Sequence, residues 1–145
     1  MRRFASPLLT LAACAWLAAV LAAPAAAAGA PLSAAAYALG SFVCHQQSAR
    51  SFYLAGAQLP VCARCTGLYA GVACGALLCA LWRPMLRFSR LRMLLVASAA
   101  PTVITWVGEA VRLAEPSNLT RAIAAAPLGL AVATAVMATA SGRLR

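Results

Sequence analysis

The chain has 145 residues, 64% of them apolar and only 10% charged, with a mean hydropathy of +0.86. Soluble domains hold about 45–50% apolar residues, and so few charges cannot clothe a water-soluble globule, so a lipid bilayer must solvate most of the surface. The net charge of +10 comes from twelve arginines set against Glu109 and Glu115, and because those arginines are scattered between apolar runs, no nucleic-acid partner is expected.

Residues 1–30 open with Met1-Arg2-Arg3 and an apolar run from Phe4 to about Ala28. Two descriptions fit this run. One is a transmembrane helix, which needs about 20 residues. The other is a signal peptide cleaved at Ala26-Ala27-Ala28, before Gly29. Either leaves residue 31 on the far side of the membrane. Residues 31–66 read as a polar loop, and residues 67–145 as a three-helix membrane domain with apolar runs at 67–82, 93–113 and 122–140. The run at 67–82 is short for a crossing, so its helix is expected to start inside Cys62-Ala63-Arg64-Cys65-Thr66. The fold class that follows is an all-α membrane protein, a bundle of three or four transmembrane helices with a Cys/His-containing outer loop.

Arginine placement orients the crossings, because basic residues accumulate on the cytoplasmic side. Arg2, Arg3, Arg83, Arg87, Arg90, Arg92, Arg143 and Arg145 fall on one side of an alternating path, and Arg50, Arg64, Arg112 and Arg121 on the other. The expected placement is a multi-pass protein of the bacterial cytoplasmic (inner) membrane. Its C-terminus is then cytoplasmic and residues 31–66 extracytoplasmic.

The outer loop carries the chemistry. Cys44-His45-Gln46 is followed by Pro60-Val61-Cys62-Ala63-Arg64-Cys65-Thr66-Gly67. Cys62 and Cys65, three apart at a helix head, project to nearly the same side. The positive end of the helix dipole and nearby Arg64 favour their thiolates. With Cys44 and His45 they make a Cys3His set, a composition suited to tetrahedral Zn²⁺. Neighbouring residues of an extended chain face opposite ways, so Cys44 and His45 can both ligate only where the chain turns. Two other chemistries fit the same thiols: a membrane dithiol–disulfide oxidoreductase using Cys62 and Cys65, exchanging electrons with a quinone, and a structural disulfide from Cys44 to Cys62 or Cys65. Thr66 stands where c-type haem attachment needs a histidine. Cys14, Cys74 and Cys79 lie in apolar runs and read as packing residues.

Gly67, Gly71 and Gly75 repeat at every fourth residue and share one helix face, the pattern that lets two membrane helices approach closely. Glu109 is the one acid inside an apolar run, which makes it a functional candidate, with an ion pair to Arg112 as the plainer reading. Arg50, Arg64, Glu109, Asn118 and Arg121 all fall near the same membrane face as the thiols. They are expected to form a polar pocket, which gives a third reading: a transporter or lipid head-group binder using Glu109, Asn118 and Arg121. A transporter of this size would need to self-assemble, so a homo-oligomer belongs to that reading.

The string resembles the signature of the domain of unknown function 2085 family, small prokaryotic membrane proteins with C-H-Q, an R-S-F element and P-V-C-A-R-C-T-G-x-Y-x-G. Here these are Cys44-His45-Gln46, Arg50-Ser51-Phe52 and Pro60 to Gly67 with Tyr69 and Gly71. Ser117, Asn118 and Arg121 match a further element, and Thr105 and Glu109 stand where the family often carries an Asp and a Gln. The resemblance spans about residues 40–130 and implies a membrane fold and topology, with the first apolar run added to the core. It implies no activity.

Overall fold

The computed structural model describes residues 2–26, 30–82, 85 and 87–143, with side chains from residue 6 onward. The candidate cleavage point at Ala26-Ala27-Ala28 reaches outside the described residues, as do Arg83, Arg145 and the side chains of Arg2 and Arg3. Among the described residues five helices follow in order: α1 (Arg2–Ala22), α2 (Pro31–Val43), α3 (Ala63–Trp82), α4 (Phe88–Ala110) and α5 (Asn118–Ala140). Between α2 and α3 lie one 3-10 turn, Ser48–Arg50, and two strands, β1 (Ser51–Leu54) and β2 (Ala57–Cys62). Among the described residues, α3, α4 and α5 are long and apolar enough to cross a membrane. The protein is an all-α, multi-pass membrane protein.

The segment 31–66, expected as a loop, is instead built from a helix and a hairpin. Pro31 opens α2, where its missing N–H costs nothing and its fixed φ suits the first turn. At Gly40 the helix crosses β2 so closely that a Cβ would collide with the Pro60 carbonyl. The strands pair antiparallel around Ala55-Gly56, whose φ values of 51° and 79° are both positive, as a two-residue hairpin turn requires. An isolated two-stranded hairpin is marginal in water. This one is anchored by burial of Leu59 and Val61 against Val20 of α1 and by the Tyr37 hydroxyl donating to the Gln58 carbonyl.

Helix starts also differ from the apolar runs, because polar first turns escape a hydropathy reading. α3 begins at Ala63, inside the Cys62–Thr66 stretch as expected. α4 spans Phe88–Ala110 rather than 93–113. α5 begins at Asn118 rather than 122, because Ser117 caps it: its hydroxyl accepts from the Thr120 amide at 3.1 Å.

The α3–α5 pair forms the core. A Cβ on Gly67 or Gly71 would strike the carbonyl of Ala122 or Ala126, and one on Gly75 would lie 2.7 Å from the Leu130 carbonyl. Gly129 of α5 meets the Leu68 carbonyl in the same way. The glycine stripe is therefore a backbone-to-backbone seam, in which small residues gain van der Waals contact that lipid cannot match. α4 leans on α5 through the Thr102 hydroxyl, which donates to the Ala124 carbonyl at 2.8 Å. Most of its remaining surface is exposed, including Val96, Val103, Ile104 and Trp106, as suits a helix facing lipid tails. α1 packs along α3, with Trp16 edge-on to Tyr69 at 5.8 Å and Val20 wholly buried.

Candidate metal centre and arginine cluster

Chain order brings the N-termini of α3 and α5 and the C-terminus of α4 to the same end of the bundle, beside the hairpin. Cys44 caps α2 in extended conformation (φ −145°, ψ 138°). Cys62 ends β2 and Cys65 lies in the first turn of α3. The strand runs directly into the helix, so the C-x-x-C pair straddles the junction and both thiols turn toward Cys44. The three sulfurs lie within 4.8 Å of one another. All six cysteines are unpaired, and Cys79 is buried in α3 whereas Cys74 is exposed.

The donor set suits a borderline-soft cation. Tetrahedral Zn²⁺ with Zn–S of about 2.3 Å places its sulfurs about 3.8 Å apart, which a trio within 4.8 Å meets with small rotamer shifts. The Cys62 amide also donates to the Cys44 sulfur at 3.1 Å, which fixes that side chain against the end of β2. Hydrogen bonding from the Cys65 thiol, then from the Cys65 amide, the Cys44 thiol and the Arg64 amide, holds the Cys62 thiol down to about 5, against burial, which raises it. A sulfur so stabilised is a competent metal ligand and nucleophile.

His45 does not join the three sulfurs. Extended backbone at Cys44 sends the next side chain to the opposite side, and His45 is exposed, though it lines the same cavity. The turn that could have brought it in comes one residue later, at Gln46 (φ 48°). Left-handed backbone at a non-glycine residue costs on the order of 1 kcal/mol or more. Gln46 offsets this by donating its amide to the carbonyls of Tyr37 at 2.9 Å and Pro60 at 2.7 Å, while Gln58 donates back to the Gln46 carbonyl at 2.7 Å. The glutamine of the C-H-Q string is thus a brace for the cysteine loop. The motif pointed to it, but its role depends on a left-handed φ and on distant carbonyls.

The five polar residues expected to converge do so. Glu109 contacts Arg50 Nε at 2.9 Å, Arg64 Nη2 at 2.6 Å and Arg121 Nη2 at 2.9 Å, and its side chain is only 8% exposed. Asn118 accepts from Arg121 at 2.8 Å and donates to the Ser51 carbonyl at 3.0 Å, tying the head of α5 to β1. The plainer pairing of Glu109 with Arg112 does not form among the described residues. The chain leaves α4 at Val111, and Arg112 (φ 58°) turns outward and is exposed. Thiols and guanidiniums share one cavity of about 390 Å³, lined by Cys44, Cys62 and Cys65 together with Arg50, Arg64 and Arg121.

A profile of predicted membrane proteins, the domain of unknown function 2085 family, matches residues 44–135. The chain belongs to this family. The family match runs from Cys44 past Arg121 and so takes in every residue of the cysteine and arginine clusters, while α1 and α2 precede it. An uncharacterised protein of Methanothermobacter thermautotrophicus is 33% identical over 98 residues, 66% of this chain and 87% of that relative. An uncharacterised protein of Methanocaldococcus jannaschii is 48% identical over 42 residues, 29% of this chain, so the match spans only 27% of that relative's length. No solved structure matches the chain.

Proposed function

We propose that this membrane protein binds a zinc ion through the thiolates of Cys44, Cys62 and Cys65. The observation that carries the reading is the convergence of three sulfurs from three different elements to within 4.8 Å, in a chain with only six cysteines. Three protein ligands leave one coordination position for water or a ligand, as in zinc sites that act as Lewis acids. The eight-to-four arginine asymmetry supports an extracytoplasmic site in a cytoplasmic membrane, with the C-terminus inside. Labelling of intact cells by a membrane-impermeant maleimide, after chelation, tests that side. Elemental analysis of detergent-purified protein, prepared anaerobically, should find about one zinc per chain, consistent with a single tetrahedral site. Each of Cys44→Ser, Cys62→Ser and Cys65→Ser should lower it strongly. Clearly substoichiometric transition metal in the wild-type chain would defeat the reading.

A second reading rests on one observation, the Cys62 and Cys65 sulfurs within 4.8 Å of each other at the head of α3. In it the pair is a redox dithiol. Oxidation to a disulfide releases two electrons and two protons, which a quinone would accept to become a quinol. Exchange with a partner disulfide would begin with attack of the Cys62 thiolate and release of one partner thiol, so a Cys65→Ser variant, lacking the resolving thiol, should trap the partner at Cys62 as a mixed disulfide. Thiol titration on the sample used for metal analysis separates the readings, because a zinc site shows its cysteines only after chelation and a dithiol shows them after reduction.

A further inference from the structure

The arginine cluster holds more positive charge than its acid neutralises. Glu109 is the one carboxylate in contact with Arg50, Arg64 and Arg121 among the described residues. A thiolate on Cys62, or a zinc ion with three thiolates, would each remove one further charge, so positive charge remains in either state. Arg64 and Arg121 also sit in the first turns of α3 and α5, where the helix dipole disfavours a cation and attracts an anion.

The hydrogen-bond inventory agrees with the charge. Each guanidinium carries five N–H donors, yet Glu109 and Asn118 are their side-chain acceptors among the described residues. Arg64 Nε and Arg121 Nε are buried without any partner there, and Arg121 as a whole is 8% exposed. Buried charged donors without acceptors are costly. All three arginines line the 390 Å³ cavity, and no carboxylate lines it among the described residues. Both acids instead line the neighbouring cavity together with Arg112, and Arg50 and Arg121 stand between the two cavities, lining both.

We propose that the 390 Å³ cavity binds an oxyanion of the phosphate class between the guanidinium groups of Arg50, Arg64 and Arg121. A tetrahedral oxyanion offers acceptors in several directions to forks arriving from three elements, whereas the planar carboxylate of Glu109 is already shared. A free phosphate and a phospholipid head group present the same chemistry at this end of a membrane bundle. The inference gives a ligand class to the polar cluster and does not depend on a metal at the cysteines.

The test is calorimetric titration of inorganic phosphate into the detergent-purified full chain, where saturation with a Kd of about 1 mM or tighter is expected. Arg50 is 46% exposed at its side chain, so Arg50→Gln should fold normally and weaken binding about tenfold, the loss of one charge-assisted contact. Arg64→Gln should weaken it at least as much. Titrations in nanodiscs of phosphatidylcholine and of phosphatidylglycerol separate the sources. Equal affinity in both assigns the site to free phosphate, and loss of phosphate binding only in phosphatidylglycerol assigns it to a competing anionic head group. Failure to saturate in detergent and in phosphatidylcholine, or binding unchanged by both substitutions, overturns the proposal.

Discussion

Replacing Glu109 by Gln removes the one negative charge at which three structural elements meet, and the cost can be worked from the contacts. Arg50 is 46% exposed at its side chain, so its pair with Glu109 counts as a surface ion pair worth about 0–1 kcal/mol. Arg64 and Arg121 are 17% and 10% exposed. At an effective dielectric constant near 20, opposite charges about 4 Å apart attract by about 4 kcal/mol, and breaking a buried pair typically costs about 3–5 kcal/mol because the remaining charge stays desolvated. The two buried losses do not simply add, since the arginines share one carboxylate and a glutamine oxygen still accepts from one of them. The expected destabilisation is therefore about 3–5 kcal/mol, which for a chain of this size lowers Tm on the order of 10 °C. Thermal unfolding in detergent, followed by tryptophan fluorescence, reads this directly. Glu109→Asp keeps the charge on a shorter arm and should recover part of the loss. A shift below about 2 °C for Glu109→Gln, less than 1 kcal/mol by the same scaling, would mean that the cluster is solvated and that the low-dielectric argument fails.

Cys62, held at about 5 by its hydrogen bonds, should react with iodoacetamide in the metal-free protein with a rate that climbs through pH 5 and is flat by pH 7. Thiolate is the deprotonated form, so reactivity rises with pH, and a midpoint near the ordinary cysteine value of about 8.5 refutes the geometry around it. On the α3–α5 seam, Gly71→Val should cost at least about 1–3 kcal/mol, because the added carbons meet the rigid Ala126 carbonyl. Gly108→Ala, whose Cβ would lie 3.9 Å from the nearest atom, Ala114 Cβ, should be neutral or mildly stabilising. Equal thermal stability of the two variants would show that the seam is not tightly packed.

Much of the architecture was legible in the chain itself. Each long span is a local property, a run of apolar side chains near bilayer thickness, and the three glycines at every fourth position mark their face through helix periodicity alone. The convergence of Arg50, Arg64, Glu109, Asn118 and Arg121 was also readable, because alternating crossings bring the ends of α3, α4 and α5 to one side. The helix in 31–43 was hidden by its shortness: thirteen residues are too few to span a bilayer, so a hydropathy reading assigned the stretch to the outer loop. His45 read as a ligand from its neighbour and its chemistry, but side-chain direction at an extended residue decided against it.

From sequence alone came a lipid-embedded helical bundle with Cys44, Cys62 and Cys65 gathered at one end beside Arg50, Arg64 and Arg121, since hydropathy, charge asymmetry and residue spacing can be read along the chain. Only the tertiary structure decided which sulfurs meet, that Glu109 serves Arg50, Arg64 and Arg121 rather than Arg112, and that Gln46 braces the cysteine loop. Those outcomes depend on ångström-scale directions at three points: the β2–α3 junction, the left-handed turn at Gln46 and the cap of α4. Each of these directions is set by packing between segments far apart in sequence, which no local pattern encodes.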